Sequence, residues 1–217
     1  MTVPHISRPE LLVAFSALVA ALGLQSSIWI MNGNTAYSPH TLIMLTELTF
    51  IALMSLTIFR PSLLTTAPYR IVSFILLGLI SVENVSSIAT ILHLLVTNSG
   101  LVGYRLLGTA IAIFLTNIIV FALWYWEIDS PGFSGKRWSR YDKDFLFPQQ
   151  IHSHIFQAWR PQFIDYLYIS VTNAINFASA DTVPMTRQAK LLMSAQALIS
   201  VTTLALIIAR SVSIIGQ

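Results

Sequence analysis

Two glutamates stand inside long apolar stretches: Glu47 within Thr41–Phe59 and Glu83 within Ile71–Thr97. A carboxylate at bilayer depth is costly to desolvate. Such residues therefore point to proton or ion handling unless a neighbouring helix satisfies them. Thr46 adjoins the first, and Asn84, Ser86 and Ser87 make the second the more polar patch. His93 lies beyond Glu83 by about 15 Å along a straight helix and roughly 80° around it, so the two cannot share one metal ion. His152 and His154 point one way only in an extended strand, and no third ligand accompanies them. No metal or cofactor is expected. Asn117, inside the fourth apolar stretch, suits a hydrogen bond across a helix pair. No nucleophile is paired with a base, so an enzyme is not expected. The absence of cysteine removes disulfides, thiolate catalysis, Cys zinc sites and iron–sulfur clusters.

The elements that must position these residues are membrane helices. Of 217 residues, 55% are hydrophobic and 10% charged, and the mean hydropathy is +0.71. A soluble domain carries about 25% charged residues. The net charge of +3 comes without a basic run, which excludes a nucleic-acid binder. No cleavable leader is expected, because the apolar stretch after MTVPHISRPE is long enough to span. Spans are predicted at Leu11–Met31, Thr41–Phe59, Ile71–Thr97, Leu106–Trp126 and Leu191–Ala209. The fourth ends in a Trp124-Tyr125-Trp126 interface belt. Residues 127–160 form a polar interfacial insert. Phe163–Asp181 is barely long enough to cross and is followed by a poor helix, so it reads as a short re-entrant helix or a sixth, polar span. Asp165 suits the first turn of that helix, and Asp181 or Thr182 a cap for the last one or a ring of acids at a pore mouth. The expected fold is all-α, with a four-helix transmembrane region (1–126), the insert, and a helix–loop–helix (161–217) made of a re-entrant segment and a final transmembrane helix.

Residues 163–210 resemble the pore unit of tetrameric potassium channels. In that family an aromatic-Ser-x-x-Thr pore helix leads into Thr-Val-Gly-Tyr-Gly-Asp. A Pro, a Thr and Ala-Lys-Leu then open the inner helix, which often ends in Ala-Arg. Here Tyr168, Ser170 and Thr172 fall on the pore helix, and Asp181 matches the Asp after the filter. Pro184, Thr186, Ala189, Lys190 and Leu191 match the start of the inner helix, and Ala209-Arg210 its end. The resemblance implies an ion-conducting homo-oligomer, a tetramer, since one copy supplies one pore loop. Thr172, Asn173, Asn176, Phe177, Ala178, Ser179, Ala180 and Asp181 would form the filter-like run. Arg187 and Lys190 would stand at the mouth, with Gln196, Ser200 and Thr203 along the path beside Ser194 and Thr202. Both filter glycines are replaced, by Ala178 and Ala180. Carbonyl rings that strip an ion's hydration shell need backbone angles that Gly reaches cheaply and Ala does not, so a conventional potassium filter is not expected. The whole chain also resembles a group of uncharacterised bacterial multi-span membrane proteins, which implies the bacterial inner membrane.

The distribution of basic residues disagrees with the resemblance over orientation. With the filter outside, only Arg105 and Arg210 would be cytoplasmic; turned over, every other Lys and Arg would be. The positive-inside rule favours the second arrangement, which is the inverted pore loop of glutamate-receptor channels or six plain spans. Three functions follow: an oligomeric ion-conducting pore, a non-conducting membrane scaffold or partner subunit, or a small transporter using Glu83 and Glu47. The partners implied are the lipid bilayer, further copies of the chain, and ions.

Overall fold

The computed structural model describes residues 7–31, 43–49, 51–52, 55, 67–96, 103–129, 143–152, 155, 159–178 and 181–215. The elements are α1 (Arg8–Met31), α2 (Ala67–Val96), α3 (Gly103–Asp129), β1 (Phe145–Leu146), α4 (Pro148–Ile151), α5 (Phe163–Asn176), β2 (Val183–Pro184) and α6 (Arg187–Ile215). Four helices are long and apolar enough to cross a membrane: Arg8–Ile28, Ile71–His93, Tyr104–Asp129 and Arg187–Ala209. Residues 43–49 and 51–52 are helical, and the rest of the span expected at Thr41–Phe59 lies outside the described residues, apart from Ser55.

Burial departs from that of a soluble bundle. Leu12, Val19, Val82, Ile111, Leu191, Leu198 and Ile208 are exposed, while Gln25, Glu47, Asn84, Asn117, Gln196 and Ser200 are buried within a mainly apolar core. An apolar outside with polar groups bonded inside is stable when the solvent is hydrocarbon. The fold is that of a helical membrane protein.

α3 is the central element and packs against α1, α2, α5 and α6. It runs antiparallel to its neighbours. Glu10 near the start of α1 meets Trp126 near the end of α3, and Ser73 near the start of α2 meets Glu127. α1 and α2 therefore begin at the same end. α6 also starts there: Pro184 and Val183, just before it, pair antiparallel with Phe145 and Leu146, and the Asp129 carboxylate accepts the Phe145 amide at 3.0 Å.

The helix starts follow capping chemistry. The Ser7 hydroxyl accepts the Glu10 amide at 3.3 Å at the start of α1. Thr186 caps α6 by accepting the Ala189 amide at 3.2 Å, which satisfies one of the first-turn donors. Capping of α6 by Asp181 or Thr182 is therefore corrected; the helix begins at Arg187, too late for either to reach its first turn. At α5 the Asp165 carboxylate reaches back to the Gln162 amide at 2.7 Å, as a first-turn acid should. α5 ends at Phe177, whose φ of 56° and ψ of 24° place it in the left-handed region. That conformation closes a helix but strains a side chain with a Cβ.

Candidate functional site

The C-terminal turns of α3 tie the bundle together. Trp124 Nε1 donates to Ser81 Oγ on α2 at 2.9 Å, and the Tyr125 hydroxyl to Gln196 Oε1 on α6 at 2.5 Å. Trp126 Nε1 donates to Glu10 Oε1 on α1 at 3.0 Å, and Ser73 Oγ on α2 to Glu127 Oε1 at 2.7 Å. Asp129 receives the Tyr166 hydroxyl of α5 at 2.7 Å and the Asp144 amide at 2.6 Å. Tyr125 and Trp126 are fully buried, so this run is a junction between helices where an interface belt was expected. Phe145, Phe147, Tyr166 and Trp159 stack around it edge-on or tilted. Edge-to-face pairs of this kind add to the stability that burial supplies. Asp144 accepts the Met185 amide through its carbonyl and the Thr186 hydroxyl through its carboxylate, which fixes the stretch between α5 and α6 to the insert.

α5 and α6 are joined by a polar hub deeper in the bundle. Gln196 Oε1 accepts from Tyr125 and from Asn173 Nδ2, the latter at 2.8 Å. Gln196 Nε2 donates to Ser170 O at 2.9 Å and Ser170 Oγ at 2.7 Å. Ser170 Oγ passes its own proton to Ile118 O at 2.6 Å. Asn173 also donates to Met193 O at 3.0 Å, and Asn117 donates to Ser200 Oγ at 2.9 Å. All of Ser170, Asn173, Gln196 and Ser200 are buried.

The residues of the filter-like run fall in three places. Thr172 returns its hydroxyl to Tyr168 O and Ile169 O of its own helix, and Asn173 belongs to the hub. Asn176 is the last residue of α5 and is helical where the resemblance implies extended filter backbone; no glycine releases the chain there, and the turn comes at Phe177. Asn176, Phe177, Ala178 and Asp181 are exposed, and Ser179 and Ala180 lie outside the described residues. Arg187 and Lys190, in the first turn of α6, are exposed, as is Asp181. Gln196, Ser200 and Thr203 face inward within one subunit. Thr203 bonds Ile199 O, Ser194 bonds Lys190 O and Thr202 bonds Leu198 O, so these hydroxyls are spent on α6 itself. The side chain of Arg210 and residue His154 lie outside the described residues, and His93 and His152 are exposed.

Glu47 and Glu83 are both buried and lie within electrostatic reach of each other. Sequence reasoning singled out both but had no means of pairing them. It missed Glu127 and Asp129 as tethers. The signal was there, since an acid in the last turn of a helix opposes the macrodipole and so needs donors from elsewhere. No known protein family, no curated protein and no solved structure matches the chain.

Proposed function

We propose that the chain is a channel-like membrane protein of the bacterial inner membrane, in which four copies assemble around the α5–α6 unit and conduct ions without a conventional potassium filter. The observation that supports this reading is where α5 begins and where the following chain goes. Phe163 at the start of α5 packs on Trp126 at 5.7 Å between ring centres. After α5, Val183 and Pro184 pair with Leu146 and Phe145, beside the same end of α3. A 14-residue helix is about 21 Å long, short of the roughly 30 Å hydrocarbon core, and its entry and exit share one end. Such a path supports a re-entrant segment, which is tolerated at membrane depth where protein covers it. Arg8, Lys143, Arg160, Arg187 and Lys190 belong to segments gathered at that end, so the positive-inside rule makes it cytoplasmic. The loop would then be inverted relative to a potassium channel.

The test uses the absence of native cysteine. Ile155→Cys and Met185→Cys, both at exposed positions, are labelled one at a time with an impermeant thiol reagent in cells and inverted vesicles. The reading expects both to react from the cytoplasmic side. It further expects cation flux in liposomes carrying the purified protein, reduced at least about tenfold by Asp181→Asn if that acid rings the mouth. Labelling from opposite sides overturns the re-entrant path, and absent flux overturns conduction. A second reading, a non-conducting scaffold, is favoured by one observation: the polar stripe of α6 is consumed inside the subunit, which leaves Leu191, Leu198, Val201 and Ile208 facing outward.

A further inference from the structure

The N-terminal half of the bundle holds a second polar site, apart from the α5–α6 unit. Glu83 lies at the middle of the span Ile71–His93, on a helix that turns Val82 and Val85 outward. Glu47 is fully buried. Ile51, one turn after Glu47, belongs to the apolar cluster that holds Leu76, Leu77 and Ile80. Glu47 and Ile51 thus both face the bundle interior from residues 43–49 and 51–52. Gln25 of α1 closes the site from a third side, with Nε2 donating to Ile80 O at 3.4 Å. A helical carbonyl points along the axis toward the residue four ahead, here Asn84. The amide head of Gln25 thus sits at the level of Glu83 and Asn84.

Unbonded acceptors accumulate here. Both Glu47 oxygens, Asn84 Oδ1 and Gln25 Oε1 accept no hydrogen bond among the described residues. The two amides are deeply buried, Gln25 at 4% and Asn84 at 3% exposure. An orphaned acceptor in such a place is unfavourable, and an uncompensated carboxylate more so. A proton would neutralise one carboxylate and, as a carboxyl O–H, satisfy a single acceptor, leaving the remaining oxygens unpaired. An alkali cation accepts charged and neutral oxygens together, and hard oxygen donors suit it without His or Cys. We propose that Glu47, Glu83, Asn84 and Gln25 bind one monovalent alkali cation, sodium-like in its demand for oxygen ligands, at the middle of the membrane between α1, α2 and the helical residues 43–49.

The experiment is thermal unfolding of the purified, detergent-solubilised protein at fixed pH and ionic strength, with sodium chloride exchanged stepwise for choline chloride. The melting temperature should rise saturably with sodium, by about 5–10 °C at a hundredfold excess over Kd. Glu47→Gln and Asn84→Ala should each move the midpoint of the sodium response at least about tenfold upward, while Thr186→Val, remote from the site, should leave it in place. The wild-type titration does not depend on any variant folding. Equal melting temperatures in sodium and choline overturn the proposal. So does stabilisation that follows pH and ignores sodium, which would assign the site to protons alone.

Discussion

Replacing Gln196 with leucine separates a packing role for the polar face of α6 from a pore-lining one. Leucine is close in volume, so the substitution opens little cavity. It removes the bonds that Gln196 makes with Tyr125, Asn173 and Ser170 at 2.5 to 2.9 Å. Hydrogen bonds between membrane helices contribute about 0.6 kcal/mol each on average and up to about 1.7 kcal/mol. Asn173 keeps Met193 O as a partner, but the Tyr125 hydroxyl, which keeps only a 3.4 Å bond from Asn173 Nδ2, loses the acceptor of its own proton, and stranding a buried donor adds about 1–3 kcal/mol. The expected loss is about 2–4 kcal/mol, read by equilibrium unfolding in mixed detergent and SDS micelles. A double-mutant cycle with Tyr125→Phe should return a coupling energy of at least about 0.5 kcal/mol, because the two side chains share a bond. If Gln196→Leu unfolds within about 0.5 kcal/mol of the wild type while ion flux changes, the side chain faces a lumen and the hub does not exist.

Three further outcomes follow from the same geometry. Asp129→Ala removes the acceptor of the Tyr166 hydroxyl and of the Asp144 and Phe145 amides; it should cost about 3–5 kcal/mol and make the 127–160 insert markedly more sensitive to limited proteolysis. Thr186→Val should cost about 1 kcal/mol through loss of the α6 cap, whereas Asp181→Ala should fall within about 0.5 kcal/mol of the wild type in the same unfolding assay. Phe177→Gly should gain about 0.5–1 kcal/mol by relieving the left-handed backbone at φ 56°; a comparable loss would show that the ring holds the loop more strongly than the backbone strains it.

What could be read from the sequence followed the length of apolar runs. Five spans are legible because about 20 apolar residues have one solution in lipid, and four of them appear as long apolar helices among the described residues; the short α5 stands out because its polar residues and the Ala178–Pro184 break interrupt such a run. Partners distant in the chain were not legible. Trp124-Tyr125-Trp126 reads as an interface belt because amphipathic rings favour that position. Only the arrival of Glu10, Ser81 and Gln196 from other helices turns the same residues inward. Ser200 and Thr203 likewise sit on a polar stripe that a lumen and a packed interface would both require. The end of α3 moved from Trp126 to Asp129 for a related reason: Glu127 and Asp129 look like the first residues of an aqueous insert until their donors are known.

The two polar regions make different demands on the bundle. Around Asp129 and Gln196 most donors and acceptors are paired: Gln196 Oε1 accepts two bonds, its Nε2 makes two, and Ser170 Oγ donates to Ile118 O, while Asn117 Oδ1 accepts none among the described residues. A network largely satisfied in this way rigidifies what it joins, so α3, α5 and α6 should move as one body, with the exposed Asn176, Phe177, Ala178 and Asp181 carried on a fixed frame. Around Glu47 the balance is the reverse, with acceptors outnumbering donors in residues from three separate segments. Such a site gains stability only when something positive enters it, and the helices that supply its oxygens are held together more tightly when it does. α1 and α2 are also the helices that Trp126 and Ser73 fasten to the end of α3. A cation bound between Glu47 and Glu83 would therefore act on the α5–α6 unit through those two tethers. Weakening one of them, by Ser73→Ala, should lower the coupling between sodium concentration and flux while leaving sodium-dependent stabilisation of the protein intact. Loss of both responses together would instead mean that Ser73 supports the cation site itself.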